Sequence, residues 1–266
     1  MKIAALQMQA TAGDPGANLD RIARAAREAA AAGATLLVTP ELAHTGYGAG
    51  PDVTRYAEAF DGDLATKLAQ LSRETGIAII MGFAERDGDT IYNSALFTDG
   101  ERQAVYRKSH LYGDYERNLF VPGEPSNTIV EIDGMKLGIL ICYDVEFPEN
   151  VRRLAEAGVD GIMVPTALPA SDHAELIARK MIAVRAFENQ IFVAYVDHCG
   201  ADERFRYAGL SGFAAPDGSM LAEAPAEGEA LLIADLDRRA YRASAEENTY
   251  LTDLRRVRER ARAGRA

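Results

Sequence analysis

The chain has 266 residues, 26% of them charged, with a formal net charge of −11. That acidity argues against nucleic acid as a partner. The only cysteines, Cys142 and Cys199, give neither a disulfide framework nor a CxxC metal or redox motif, and no apolar run is long enough to cross a membrane. Residues 1–6 run at once into polar Gln7 and Gln9, too short for a signal peptide, so the expected location is the cytoplasm.

In chain order, residues 2–9 alternate as a strand, followed by the turn residues Gly13, Asp14, Pro15 and Gly16. Residues 18–32 carry apolar positions at helical spacing and stop at Gly33. A strand over 35–38 ends at Thr39-Pro40, with Glu41 next. A helix over 64–75 closes at Gly76. Three strands come in succession, 77–84, 91–98 and 103–107, with turns at Asp87-Gly88 and Asp99-Gly100. Residues 109–126 read as a polar loop. Strands near 127–132 and 136–142 flank a turn at Asp133-Gly134.

The second half opens with a helix after Pro148, a good first helical residue. A strand over 161–164 and a long helix over 173–189 follow, then strands near 191–197, 208–215, 219–224 and 230–235. No repeat or linker divides the chain. The mixed order predicts one domain with two sheets and helices on their outer faces. The run 255–265, with arginine at 255, 256, 258, 260, 262 and 265, lacks interleaved aromatics and reads as a solvated helix end or part of a subunit contact.

Several familiar motifs are absent. Gly46-Tyr47-Gly48-Ala49-Gly50 breaks the GxGxxG spacing and runs into Pro51, and Gly209-Leu210-Ser211-Gly212 lacks the last glycine of a nucleophile elbow. The histidines at 44, 110, 173 and 198 are scattered. Three polar residues do fall where strands end: Glu41, Lys108 and Cys142. Carboxyl ends of strands are where α/β sheets gather their chemistry. Each has a bland reading alone: a surface carboxylate, half of an exposed Arg107-Lys108 pair, a small buried thiol. Together they are what acyl transfer through sulfur requires, namely a base for the thiol, a cation for the oxyanion and an acid for the leaving amine.

Five ordered motifs then resemble the nitrilase superfamily, the carbon–nitrogen hydrolases: Thr39-Pro40-Glu41-Leu42, Tyr106-Arg107-Lys108-Ser109-His110-Leu111, Cys142-Tyr143-Asp144-Val145-Glu146-Phe147-Pro148-Glu149, Val164-Pro165-Thr166-Ala167 and Arg185-Ala186-Phe187-Glu188-Asn189-Gln190. The resemblance covers nearly the whole chain and is strongest to aliphatic amidases of the 5-aminopentanamidase kind, through Tyr92-Asn93-Ser94, Phe120-Val121-Pro122-Gly123, residues 150–155 and residues 250–255. It implies a four-layer α-β-β-α sandwich over 1–266, a small amide as substrate, no cofactor and no metal. It also implies a homodimer or higher homo-oligomer, built through the helix after Pro148 and the long helix ending near Asn189, with 250–266 as a tail in the subunit contact.

The resemblance also implies roles. Cys142 attacks the amide carbonyl, Glu41 takes the thiol proton, and Lys108 with the Tyr143 backbone N–H holds the oxyanion. Glu116 is the second carboxylate, with Asp114 as its competitor. A helix N-terminus just after Cys142 and Lys108 nearby should lower the thiol pKa. Candidate substrate contacts are Tyr47, Tyr112, Glu146, Thr166 and Ala167, with Tyr115, Leu168 and His198 behind them; Glu146 or Asp172 could meet a cationic tail. Nitrile, N-carbamoyl and ω-amide hydrolysis use the same triad. A Cys-His hydrolase using His110 or His198 and a silent binding member of the family are the other readings.

Overall fold

A computed structural model describes residues 1–263. The elements are β1 (Lys2–Gln7), α1 (Pro15–Ala31), β2 (Leu36–Val38), α2 (Pro51–Arg55), α3 (Asp63–Thr75), β3 (Ala78–Asp87), β4 (Thr90–Thr98), β5 (Gln103–Arg107), α4 (Gly113–Leu119), β6 (Ile129–Ile132), β7 (Met135–Ile139), α5 (Pro148–Glu156), β8 (Gly161–Pro165), α6 (Ile182–Asn189), β9 (Phe192–Val196), β10 (Gly212–Ala214), β11 (Met220–Glu223), β12 (Ala230–Asp235), α7 (Arg242–Glu247) and α8 (Tyr250–Ala263). They form two six-stranded sheets, ordered β12-β1-β2-β3-β4-β5 and β11-β10-β9-β8-β7-β6. The centre of each is parallel, β1-β2-β3 in one and β7-β8-β9 in the other, and the edges are antiparallel.

The side-chain period of two sets the layers. Along β1, Ile3 and Ala5 point to the core between the sheets, where they join Val38, Ile80 and Phe97 against Leu137, Ile139 and Met163. The alternate residues Ala4 and Leu6 face α1 and α3, with Leu37, Ile79 and Met81 beside them. Strands buried on both faces read as continuous apolar runs, which is why they were legible. On the outer face of the second sheet, Val151 and Leu154 of α5 and Ile182 and Ala186 of α6 complete the packing. The result is the expected α-β-β-α sandwich.

Four expectations need revision. The loop 109–126 contains α4, a short polar helix whose first turn carries Asp114 and Glu116 and whose last turn carries Arg117, placed well for the helix dipole. The helix expected over 173–189 is a π-helical turn, Leu176–Met181, running into α6. The strand expected over 208–215 shrinks to β10 because Gly209 (φ 64°) and Leu210 (φ 57°) are left-handed. The strand expected to reach Cys142 stops at Ile139, and a 3₁₀ turn, Cys142–Glu146, separates the cysteine from α5. The basic run lies on exposed α8 as far as Arg262; Arg265 lies outside the described residues.

Candidate active site

The carboxyl ends of three strands, two parallel and one at an antiparallel edge, supply the site. Glu41 follows β2 and Lys108 follows β5, both in the first sheet, whereas Cys142 follows β7 in the second. Glu41 lies in a turn whose next residue, Leu42, is left-handed at φ 49°. That turn lies directly on β3: a Cβ on Gly82 would come within 2.4 Å of the Pro40 carbonyl oxygen and the Leu42 nitrogen, so only glycine fits. From the other sheet, the Thr166 carbonyl accepts a hydrogen bond from the Glu41 N–H at 3.2 Å.

Lys108 is fully sequestered. Its Nζ donates to Glu41 Oε1 and to Glu116 Oε1, each at 2.6 Å. Asn93 Nδ2 donates to the same Glu41 oxygen at 2.6 Å. Glu116 also accepts from Tyr47 OH at 2.9 Å and, through Oε2, from the Tyr112 N–H at 2.9 Å. Glu41 Oε2 is buried and has no hydrogen-bond partner among the described residues. One ammonium thus serves two carboxylates, with a single oxygen left free to take a proton.

Burial pushes the Glu41 carboxyl up to about 7, against the pull of Lys108. Burial also works against the Lys108 ammonium, but Glu116 and Glu41 outweigh it and hold its pKa well above the usual lysine range. Burial first, then the Glu41 carboxylate, hold the Cys142 thiol well above its ordinary value, with Lys108 and the Ala167 N–H opposing them. This reverses the expected lowering. The helix that should have lowered the thiol pKa begins only at Pro148, beyond the 3₁₀ turn, and the sulfur is buried beside carboxylates.

Cys142 itself is left-handed, at φ 45°. A non-glycine residue is held there only where its surroundings over-determine it. Asp144 supplies much of that constraint. Its Oδ2 accepts from Tyr106 OH at 2.8 Å and from the Ile141 N–H at 3.3 Å; its Oδ1 accepts from Ser109 Oγ and the His110 N–H, both at 2.9 Å. Arg185 donates from below to the carbonyls of Val145 (3.0 Å) and Glu146 (2.6 Å). The cysteine turn is therefore tied to the loop that carries Lys108.

Cys142 opens into a cavity of about 150 Å³, lined also by Tyr112, Tyr143, Glu146, Leu168 and Ser171. A larger cleft of about 590 Å³, around Thr11, Arg21, Asp52 and Arg204, contains none of these groups.

The carbon-nitrogen hydrolase family matches residues 2–246. The chain belongs to that family. A hydrolase of Pseudomonas protegens, named for its place in the pqqF 5′ region, is 45% identical over 96% of this chain and 89% of its own. An (R)-stereoselective amidase of a Pseudomonas species is 36% identical over 96% of this chain and 92% of its own. The structure of a cysteine-to-alanine mutant of the Nesterenkonia sp. AN1 amidase in complex with butyramide is 35% identical, with a TM-score of 0.82 over 93% of this chain and 96% of its own. As a carbon–nitrogen hydrolase of the nitrilase superfamily, the protein has the fold that its motifs implied.

Within this carbon–nitrogen hydrolase, Glu41, Lys108 and Glu116 form one hydrogen-bonded group near Cys142, while Asp114 is exposed and pairs only with Arg117 at 3.4 Å. Tyr112 and Glu146 line the cavity. Tyr47, Thr166 and Ala167 do not: Tyr47 braces Glu116, Thr166 braces Glu41, and Ala167 offers its N–H toward the sulfur. Asp172 is not among the lining residues, whereas its neighbours Ser171 and His173 are. His110 Nδ1 lies 2.9 Å from Asp144 Oδ1 and its ring stacks on Phe147 at 4.0 Å; neither it nor His198 hydrogen-bonds to Cys142. Asn93, not picked out as a site residue although Tyr92-Asn93-Ser94 is one of the matching motifs, is a buried amide inside β4.

Proposed function

We propose that the protein hydrolyses a small aliphatic primary amide to carboxylic acid and ammonia through a thioester on Cys142. The observation that carries this is the buried Glu41-Lys108-Glu116 group beside the cysteine, with one Glu41 oxygen unpartnered. The Cys142 thiol passes its proton to Glu41 Oε2 as sulfur adds to the carbonyl carbon. The oxyanion forms against the Lys108 ammonium and the Tyr143 N–H. Glu41 then returns the proton to nitrogen, the C–N bond breaks, and ammonia leaves. Water, deprotonated by Glu41, adds to the thioester, and its collapse restores the thiol. Glu116 keeps Lys108 in place and charged.

The finer reading is a substrate with a cationic tail, such as 5-aminopentanamide. Glu146 supports it. Its carboxylate lines the same cavity as Cys142, its pKa is raised by burial against the pull of Lys108 and Arg185, and Arg185 spends its nearest donors on backbone carbonyls instead. A half-buried carboxylate without a partner is costly unless a ligand satisfies it. We also take the working form to be a cytoplasmic homodimer joined through α5 and α6, with α8 in the contact; Tyr250 of α8 packs edge-on against Phe187 of α6, and Val184 of α6 is exposed.

Ammonia release from butyramide, hexanamide and 5-aminopentanamide tests the reaction, with intact-mass detection of an acyl group on Cys142. Acylation of Cys199 instead would overturn it. Equal kcat/KM on butyramide and 5-aminopentanamide, unchanged in Glu146→Gln, would overturn the finer reading alone.

A further inference from the structure

The Glu41 backbone is held from the second sheet by two contacts, and only one of them is made by a side chain. His198 follows β9, at the carboxyl edge of the second sheet, and its Nε2 lies 2.7 Å from the Glu41 carbonyl oxygen. The imidazole is buried. Its other nitrogen, Nδ1, is 3.3 Å from the Met8 carbonyl, but that carbonyl already accepts from the Cys199 N–H at 3.0 Å. A neutral imidazole donates through one nitrogen only. The shorter contact, and the acceptor with no other donor, assign the proton to Nε2. Burial lowers the pKa of this ring, which is consistent with the neutral form. His198 is itself fixed: its ring packs against Tyr207 at 5.2 Å, and its carbonyl accepts from the Gly209 N–H at 3.0 Å.

We infer that His198 is a positioning residue for the general base, its Nε2–H locking the Glu41 carbonyl so that the free carboxylate oxygen stays poised for the thiol proton. The inference rests on the reading of Glu41 as that base. The geometry explains why a buried imidazole is used here. The Glu41 turn has Gly82 on one side and a left-handed residue after it, so its peptide units have a single tolerated setting. The Glu41 N–H is tied by Thr166, just after β8, and among the described residues only His198 ties the C=O. Without that donor a buried carbonyl is left unpaired and the carboxylate can tilt away from sulfur. A displacement of about 1 Å in a reacting group costs roughly a hundredfold in rate.

The test compares His198→Leu, His198→Gln and His198→Asn, with Glu41→Gln as the control for the base. Glutamine reaches the carbonyl with an N–H; leucine has no donor, and asparagine is too short. The expected result is that His198→Leu lowers kcat roughly 30- to 100-fold with KM within threefold of the parent. It also weakens the rise of Cys142 alkylation by iodoacetamide as pH passes through about 7, a rise that Glu41→Gln abolishes, and His198→Gln restores most of both. If His198→Leu does not fold, glutamine outperforming asparagine at least tenfold in kcat supports the inference, and equal values overturn it. A folded His198→Leu with parental kcat, or with an unchanged alkylation profile, overturns it as well. Full activity of Glu41→Gln would instead overturn the reading of the base.

Discussion

Lys108 Nζ stands 2.6 Å from Glu41 Oε1 and the same distance from Glu116 Oε1, so one cation holds two carboxylates that would otherwise repel each other. Breaking a buried ion pair by removing one partner leaves uncompensated charge, which costs more than the pair itself contributes. Lys108 is therefore both a structural counter-ion and the proposed oxyanion cation.

Lys108→Met is expected to lower kcat by about 100- to 1,000-fold, the usual cost of losing an oxyanion donor. It should also lower Tm at pH 8 and restore part of that loss at pH 5, where the orphaned Glu41 carboxyl can take up a proton. Steady-state ammonia release and differential scanning fluorimetry check both arms. Parental kcat in this variant would remove Lys108 from the chemistry.

The raised Glu41 pKa sets the pH response. The proposed base works as the anion, so kcat/KM on a neutral amide should rise with pH through about 7, and a midpoint below about 5.5 would point to another base. Stability runs the opposite way. A carboxyl whose folded pKa is raised favours the folded state below its unfolded pKa, near 4.5, and loses that advantage as pH rises through about 7. The Tm of Glu41→Gln relative to the parent should therefore increase from pH 5 to pH 8 while activity is lost throughout.

How far the sequence could be read depended on whether a residue was marked by local punctuation. Thr39-Pro40 ends a strand just before Glu41, and an apolar run stops just before Cys142; such breaks show in the chain itself. Glu116 was less visible because α4 is short and polar, with no apolar period to betray it. The Cys142 thiol is pushed up and not down because the helix start that follows it in sequence does not lie beside the sulfur, and burial by the opposing sheet leaves no local trace in the chain. Tyr47, Thr166 and Ala167 have the right neighbours in sequence, yet they support the reacting groups from behind instead of lining the cavity.

Glu116→Gln and Asp114→Asn separate the two acidic residues of α4. Glu116 touches Lys108, Tyr47 and the Tyr112 backbone, so the glutamine variant should lose about 10- to 100-fold in kcat through a displaced lysine. Asp114 is exposed beside Arg117, and its variant should retain parental kcat and Tm. The reverse pattern would exchange their roles.

Tyr106→Phe tests the cysteine turn. It removes the hydroxyl that donates to buried Asp144 Oδ2 at 2.8 Å and keeps the ring in the core. The expected cost is about 1.5–3 kcal/mol in denaturant unfolding, as for other bonds to a charged group. Slower acylation of Cys142 in rapid-quench experiments should accompany it. An unchanged unfolding midpoint would show that Ser109 and the Ile141 and His110 amides hold the turn without it.

The proposed base and cation belong to one sheet and the cysteine to the other. The reaction centre therefore works as a gauge of registry between the two halves of the sandwich. Heating that lets one sheet creep over the other would part sulfur from carboxylate while each sheet keeps its own hydrogen bonds. Hydrolysis should fade several degrees before the far-ultraviolet dichroism does, and return on cooling as the halves slide home.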